Sequence, residues 1–180
     1  MGYREFAKDY KIEYRENPGK RQPEAVRVYI GPWYRFSAPP ERIRFLRWFY
    51  LIGLVLMGAA LLVPMFLDCT FTRIWYIQAP AVATVIPWIF AACATWRLWT
   101  AGEKMTREHN RLTGGRMKSA MLFMVVLNII SSIGCFLSFH TAEMSVLDYV
   151  VCSLYCLSSL LSAVLLWMGR DLRTVLVEQK

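Results

Sequence analysis

Cysteines, histidines and the few polar groups set inside apolar runs are the residues of this chain with types suited to chemistry. The five cysteines are Cys69, Cys93, Cys135, Cys152 and Cys156. A membrane thiol oxidoreductase needs a reactive pair near the outer surface, usually Cys-x-x-Cys on a helix end or loop. That spacing does not occur in the sequence. Cys152 and Cys156 stand one helical turn apart, where helix geometry keeps the two sulfurs from an easy bridge. A Cys69–Cys135 or Cys69–Cys152 disulfide is the redox arrangement left open, and small apolar filler is the competing role for the buried thiols. A second cluster, Asp68, Arg73, His140, Glu143 and Asp148, falls in or beside two short polar segments. Such a rim could bind a cation or a haem edge, or titrate near neutral pH through His140; interfacial ion pairing is the plainer reading. His109 has no second ligand at metal spacing and reads as a solvated loop residue. No Ser-His-Asp order, phosphate-cradling glycine loop, HExxH or zinc spacing is present. Catalytic residues, a cofactor and a metal are therefore not expected.

Polar groups also line two of the apolar runs. Asn128, Ser131, Ser132, Gly134, Cys135 and Ser138 crowd one side of the third run. In the fourth, Cys152, Cys156, Ser159 and Ala163 recur at i, i+4, i+7 and i+11, with Ser158 and Ser162 beside them. Small residues at that spacing let helix backbones approach closely, and their hydroxyls can bond across the contact. An unpaired amide in hydrocarbon costs several kcal/mol, so Asn128 should face protein, level with Cys156 or Ser159. The surface is a packing seam, within the chain or between subunits, or else a polar pathway. With one asparagine and no carboxylate or lysine at mid-membrane depth, the seam is favoured. Pro80 and Pro87, seven apart on one face, are hinge candidates, although prolines also occur in static membrane helices.

The elements that must position these groups are membrane helices. The chain has 180 residues, 56% of them hydrophobic, and concentrates them in four blocks rather than in amphipathic lengths. Each block is long enough for a bilayer. The fold class is thus an all-α integral membrane protein, four transmembrane helices arranged as two tandem antiparallel hairpins. The spans are about 45–67, 74–96, 119–139 and 146–168. They are preceded by an N-terminal segment (1–44), interrupted by a loop (97–118) and followed by a tail (169–180). The net charge of +8 needs no nucleic acid to explain it, because lysine and arginine alternate along the chain. Eleven lie at or before Arg47, one between spans one and two, six between two and three, none between three and four, and three after span four. This is the positive-inside pattern, with both termini cytoplasmic in the plasma membrane. The polar and mixed stretch ahead of the first apolar run argues against a cleavable signal peptide.

Tyr3, Phe6, Ala7, Tyr10 and Tyr14 form one stripe of an amphipathic helix, stopped by Asn17-Pro18-Gly19. Residues 25–30 alternate with period two like a strand, and pairing of 11–15 with them competes with the helix; the helix is preferred. Trp33, Tyr34 and Phe36 read as a headgroup anchor. Span two is expected to run on as a helix through 101–111 until Thr113-Gly114-Gly115 breaks it, and Leu172, Val175 and Leu176 form an amphipathic tail. These features point to a non-enzymatic accessory or scaffold subunit of a membrane complex, homo-oligomeric or bound to another membrane protein. Its partners are the lipid bilayer and a protein recognised mainly on the cytoplasmic side. A small oligomeric transporter or channel is the alternative, and a thiol oxidoreductase the third reading.

Overall fold

The computed structural model describes residues 6–15, 24–139 and 145–177. Four helical columns are long and apolar enough to cross a membrane: Pro40–Phe66, Trp75–Thr100, Arg107–Ser138 and Val146–Leu172. The first is α1 (Pro40–Leu62), closed by a 3-10 turn at Val63–Phe66. Pro40 stands at the start of α1, where a missing N–H costs nothing. A single turn, α2 (Thr70–Arg73), bridges to the second column.

That column is broken into α3 (Trp75–Ala83) and α4 (Val85–Thr100) at Thr84. Pro87 has no N–H for the Ala83 carbonyl, and its ring pushes against that group. Thr84 holds the break together: its hydroxyl donates to the Pro80 carbonyl at 2.8 Å, and its N–H reaches the Pro80 and Ala81 carbonyls at 3.0 and 3.2 Å.

The third column departs from the expected loop. Span two ends at Thr100, and helix resumes at α5 (Arg107–Asn110), capped by Thr106 accepting from the His109 N–H at 3.2 Å. One π-helical turn, Arg111–Gly115, then leads without interruption into α6 (Arg116–Ser138). Gly114-Gly115 thus continue a helix rather than break one. Gly115 keeps ordinary right-handed angles (φ −67, ψ −50), and the Thr113 hydroxyl donates to the His109 carbonyl at 2.8 Å across the turn. The fourth column is α7 (Val146–Met168) with a 3-10 turn at Gly169–Leu172.

Cross-helix bonds show that neighbours run antiparallel. The Tyr50 hydroxyl donates to the Leu165 carbonyl (2.7 Å), the Trp88 indole to the Leu54 carbonyl (2.9 Å) and the Ser131 hydroxyl to the Ile77 carbonyl (3.3 Å). The helices pack in the cyclic order α1–α7–α6–α3/α4, so spans one and two, and spans three and four, are neighbours. The α6–α7 and the α3/α4–α6 interfaces are the most extensive, and spans one and two meet mainly through α4. Both halves of span two, α3 and α4, lie against α6.

Two clusters fill the ring. One gathers Leu46, Tyr50, Met57, Met121, Met124 and Leu165; the other gathers Cys69, Phe71, Ile77, Cys135, Cys152 and Tyr155. The outside is equally apolar, with Val55, Leu56, Phe123 and Leu160 exposed. A bundle apolar all round matches a surrounding of lipid rather than water.

One end of the ring carries strands, which corrects the all-α expectation. β1 (Tyr10–Arg15) pairs antiparallel with β2 (Glu24–Tyr29), Tyr10 opposite Tyr29 and Ile12 opposite Arg27. Among the described residues the expected helical stripe is not formed: over 6–14 a 3-10 turn, Ala7–Asp9, leads into the strand. Tyr10, Ile12 and Tyr14 fit period two as well as they fit a helix, and aromatic and β-branched residues favour the pleated surface. Tyr3 and the Asn17-Pro18-Gly19 turn lie outside the described residues. β3 (Trp33–Phe36) pairs antiparallel with β4 (Thr174–Val177), so the expected headgroup anchor and the tail form one small sheet.

Candidate functional site

The buried seam between α6 and α7 is the first candidate. Asn128 faces protein, as its chemistry requires, and its amide donates to the Ser158 hydroxyl at 3.1 Å. That partner is one residue from the expected level. The face of α7 turned inward is Val151, Tyr155, Ser158, Ser162 and Leu165, whereas Cys156 and Ser159 are half-buried and Ala163 is exposed. Two adjacent stripes share the same spacing, and the one holding Tyr155 and Leu165 buries more apolar surface. The seam serines bond carbonyls one turn back: Ser132 to Asn128 (2.8 Å), Ser138 to Gly134 (3.0 Å) and Ser162 to Ser158 (2.7 Å). Tyr76 and Ser138 share a further hydroxyl bond at 2.8 Å. Asn128, Ser131, Ser158 and Ser162 are fully buried, so the seam is closed rather than an open path.

One polar atom in it is costly. The Asn128 side-chain oxygen is buried with no hydrogen-bond partner among the described residues. An orphaned buried group costs about 1–3 kcal/mol, while replacing both members of a pair by apolar groups can be neutral or stabilising. Asn128→Leu with Ser158→Ala is therefore expected to keep or raise the unfolding midpoint in detergent. A drop equivalent to more than about 2 kcal/mol would show instead that the amide has a partner and holds the helices together.

The thiols are also brought together. Cys69, Cys135 and Cys152 share one core cluster, with Cys156 packed against it. All five cysteines are free thiols, and Cys93 stands apart, exposed on α4. No group of three or more His, Cys, Asp or Glu able to hold a metal occurs among the described residues.

The expected rim cluster separates into two unlike parts. Asp68 and Arg73 form an exposed ion pair at 2.8 Å. Asp148 is fully buried. One carboxylate oxygen accepts from the Ser145 N–H (2.8 Å) and hydroxyl (2.9 Å), and the other from the Phe71 N–H (3.1 Å). It closes a capping box at the start of α7 and fastens α2 to it. Ser145-x-x-Asp148 is the sequence signal for that role. His140 and Glu143 lie outside the described residues. The hinge candidates Pro80 and Pro87 are half-buried and flank the break at Thr84.

The strand end holds the residues that sequence spacing did not single out. The Tyr29 hydroxyl donates to the Pro32 carbonyl (2.9 Å) and accepts from the Arg107 N–H (2.9 Å), and burial pushes its phenol above the usual range. Its ring sits edge-on between Tyr10 (5.2 Å) and Trp33 (5.0 Å). Gly31 is required there, since a Cβ would stand 2.7 Å from the Tyr29 hydroxyl and 2.8 Å from Asp9 Cβ. Met105 and Tyr34 exchange backbone bonds at 2.7 and 2.8 Å, and His109 Nε2 meets the Arg97 carbonyl at 3.0 Å. His109 is thus half-buried and bonded rather than solvated. Arg42 grips Asp171 from Nε and Nη2 at 3.0 and 2.8 Å, and Arg47 donates to the Ala101 carbonyl at 2.7 Å.

These features define a mostly helical chain whose four apolar helices are compatible with a multi-pass membrane protein. No protein-family model, curated protein or solved structure matches it.

Proposed function

We propose that this chain is a non-enzymatic multi-pass membrane protein, an accessory or scaffold subunit that holds a partner through its strand end. In this reading the four helices sit in the plasma membrane with both termini cytoplasmic, as the arginine and lysine distribution favours. The observation that carries it is the β1–β2 ribbon. It is a two-stranded sheet with no third strand among the described residues, and Ile12 and Tyr14 on it are 56% and 73% exposed. An isolated two-stranded ribbon is marginal in water, and open edges beside exposed apolar side chains are the usual template for strand addition. The α6–α7 seam is used up within the chain, which leaves the ribbon as the better-placed recognition surface.

The test is crosslinking and co-purification of the tagged chain from its native membrane. Wild type is expected to carry a second protein or a second copy in fixed proportion. Ile12→Asp with Tyr14→Asp is expected to cut that recovery at least tenfold while leaving the helical signal of the purified chain unchanged. Recovery of a lone chain from wild type, or equal recovery by the variant, would overturn the proposal.

A further inference from the structure

Between α4 and α6, near the strand end, a lateral groove of about 800 Å³ opens on the outer face of the ring. Its wall is apolar: Ile86, Pro87 and Phe90 on α4, and Phe123 and Leu127 on α6. Ala83 and Pro87, on either side of the break at Thr84, both line the groove. Its mouth is lined by Arg111, Arg116 and Ser119, and the described lining residues include no carboxylate. Phe6 from the N-terminal segment roofs it, with the Arg111 guanidinium 5.7 Å from the Phe6 ring. Along α6, Arg116 to Leu127 spans ~16 Å at 1.5 Å per residue. That length is about one leaflet of a ~30 Å hydrocarbon core.

We propose that this groove binds one anionic glycerophospholipid, its phosphate against Arg111 and Arg116 and one acyl chain along Phe90, Phe123 and Leu127. An annular lipid needs only the apolar wall. The basic mouth adds selection, because a phosphate accepts charge-assisted bonds from guanidinium and a zwitterionic headgroup offsets them with its own cation. Basic pockets between helices on the cytoplasmic side are where anionic headgroups of that leaflet can reach. The site rests on the four helices lying in a bilayer and is independent of any protein partner. Retention of the chain in carbonate-washed membranes checks the bilayer placement separately.

The experiment is native mass spectrometry of the complete chain in detergent, titrated with phosphatidylglycerol or phosphatidylcholine. A single phosphatidylglycerol adduct is expected at about tenfold lower lipid concentration than the phosphatidylcholine adduct. Arg111→Gln with Arg116→Gln should erase that preference. Gly115→Phe supplies a second arm: a Cβ at Gly115 meets no atom within 4 Å, and Gly115 lines the groove, so the new ring can fill the mouth without a clash. It should lower both adducts while the thermal midpoint stays unchanged. Equal affinity for the two lipids, or adducts indifferent to Gly115→Phe, would overturn the site as a mere annular belt. A stable adduct with inorganic phosphate alone would overturn it in favour of a soluble anion.

Discussion

Asp148→Ala should lower the stability of the folded chain by about 3 kcal/mol, among the largest effects of any single polar change. The loss has two parts. Removing an N-cap partner typically costs about 1 kcal/mol. The carboxylate also accepts from the Phe71 N–H, a bond between α2 and α7 that links two turns far apart in the chain. Leaving that buried N–H without a partner adds about 1–3 kcal/mol. Asp148→Asn retains one side-chain acceptor and should cost roughly half as much. Unfolding in mixed micelles, followed by circular dichroism, measures both variants. Limited proteolysis should in addition find the 67–74 segment cut first in Asp148→Ala. If that variant unfolds within about 0.5 kcal/mol of wild type, the carboxylate is not the fastening between these turns.

Gly58→Leu should be of similar size for a steric reason. A Cβ on Gly58 would already stand 2.7 Å from Trp88 Cζ2 and 3.1 Å from Cε2. The indole cannot swing clear, because its N–H is bonded to the Leu54 carbonyl in the same helix that bears Gly58. Overpacking of this kind costs about 1–3 kcal/mol, and losing the indole bond adds about 1. The expected total is about 3 kcal/mol, with α1 and α4 prised apart. Gly53→Ala is the contrasting control. Its Cβ would meet the Leu165 methyls at 3.0 and 3.1 Å, the far ends of a flexible side chain that can rotate away. Trp88→Ala in the Gly58→Leu background should recover part of the loss, and a double variant no better than the single would place the strain elsewhere.

The four long apolar helices were legible in the sequence because apolar runs of bilayer length stand out, and the helices found overlap the expected 45–67, 74–96, 119–139 and 146–168. Burial of Asn128 was legible as well, since an amide has few tolerable surroundings in an apolar interior. Its partner was not, because the small-residue stripe through Cys156 and Ser159 and the stripe through Tyr155 and Ser158 have identical spacing. Only the packing of α7 against α6 and α1 chooses between them. β2 was legible as the period-two run over 25–30, with pairing to 11–15 the alternative to a helix, but β3 and β4 were not, for a different reason. Phe36 and Thr174 pair across the whole bundle, and no local pattern reports a partner that distant. In Tyr10, Ile12 and Tyr14 the local signal was divided, and pairing with Tyr29, Arg27 and Ala25 decided it. Ser145-x-x-Asp148 carries a capping signal, but Asp148 was grouped with Asp68 and Arg73 because two short turns were expected to bring them together at one rim. The fold instead separates a buried acceptor from an exposed ion pair.

Pairing of β3 with β4 has a consequence for biosynthesis. β3 leaves the ribosome before the first span and β4 only after the fourth, about 140 residues later. At ~5–20 residues per second that interval is on the order of ten seconds. Throughout it the Trp33–Phe36 edge lacks its native neighbour, while the Arg42–Asp171 and Tyr50–Leu165 bonds are equally deferred. The ring can therefore close only after the last helix has been made, with the tail acting as the clasp.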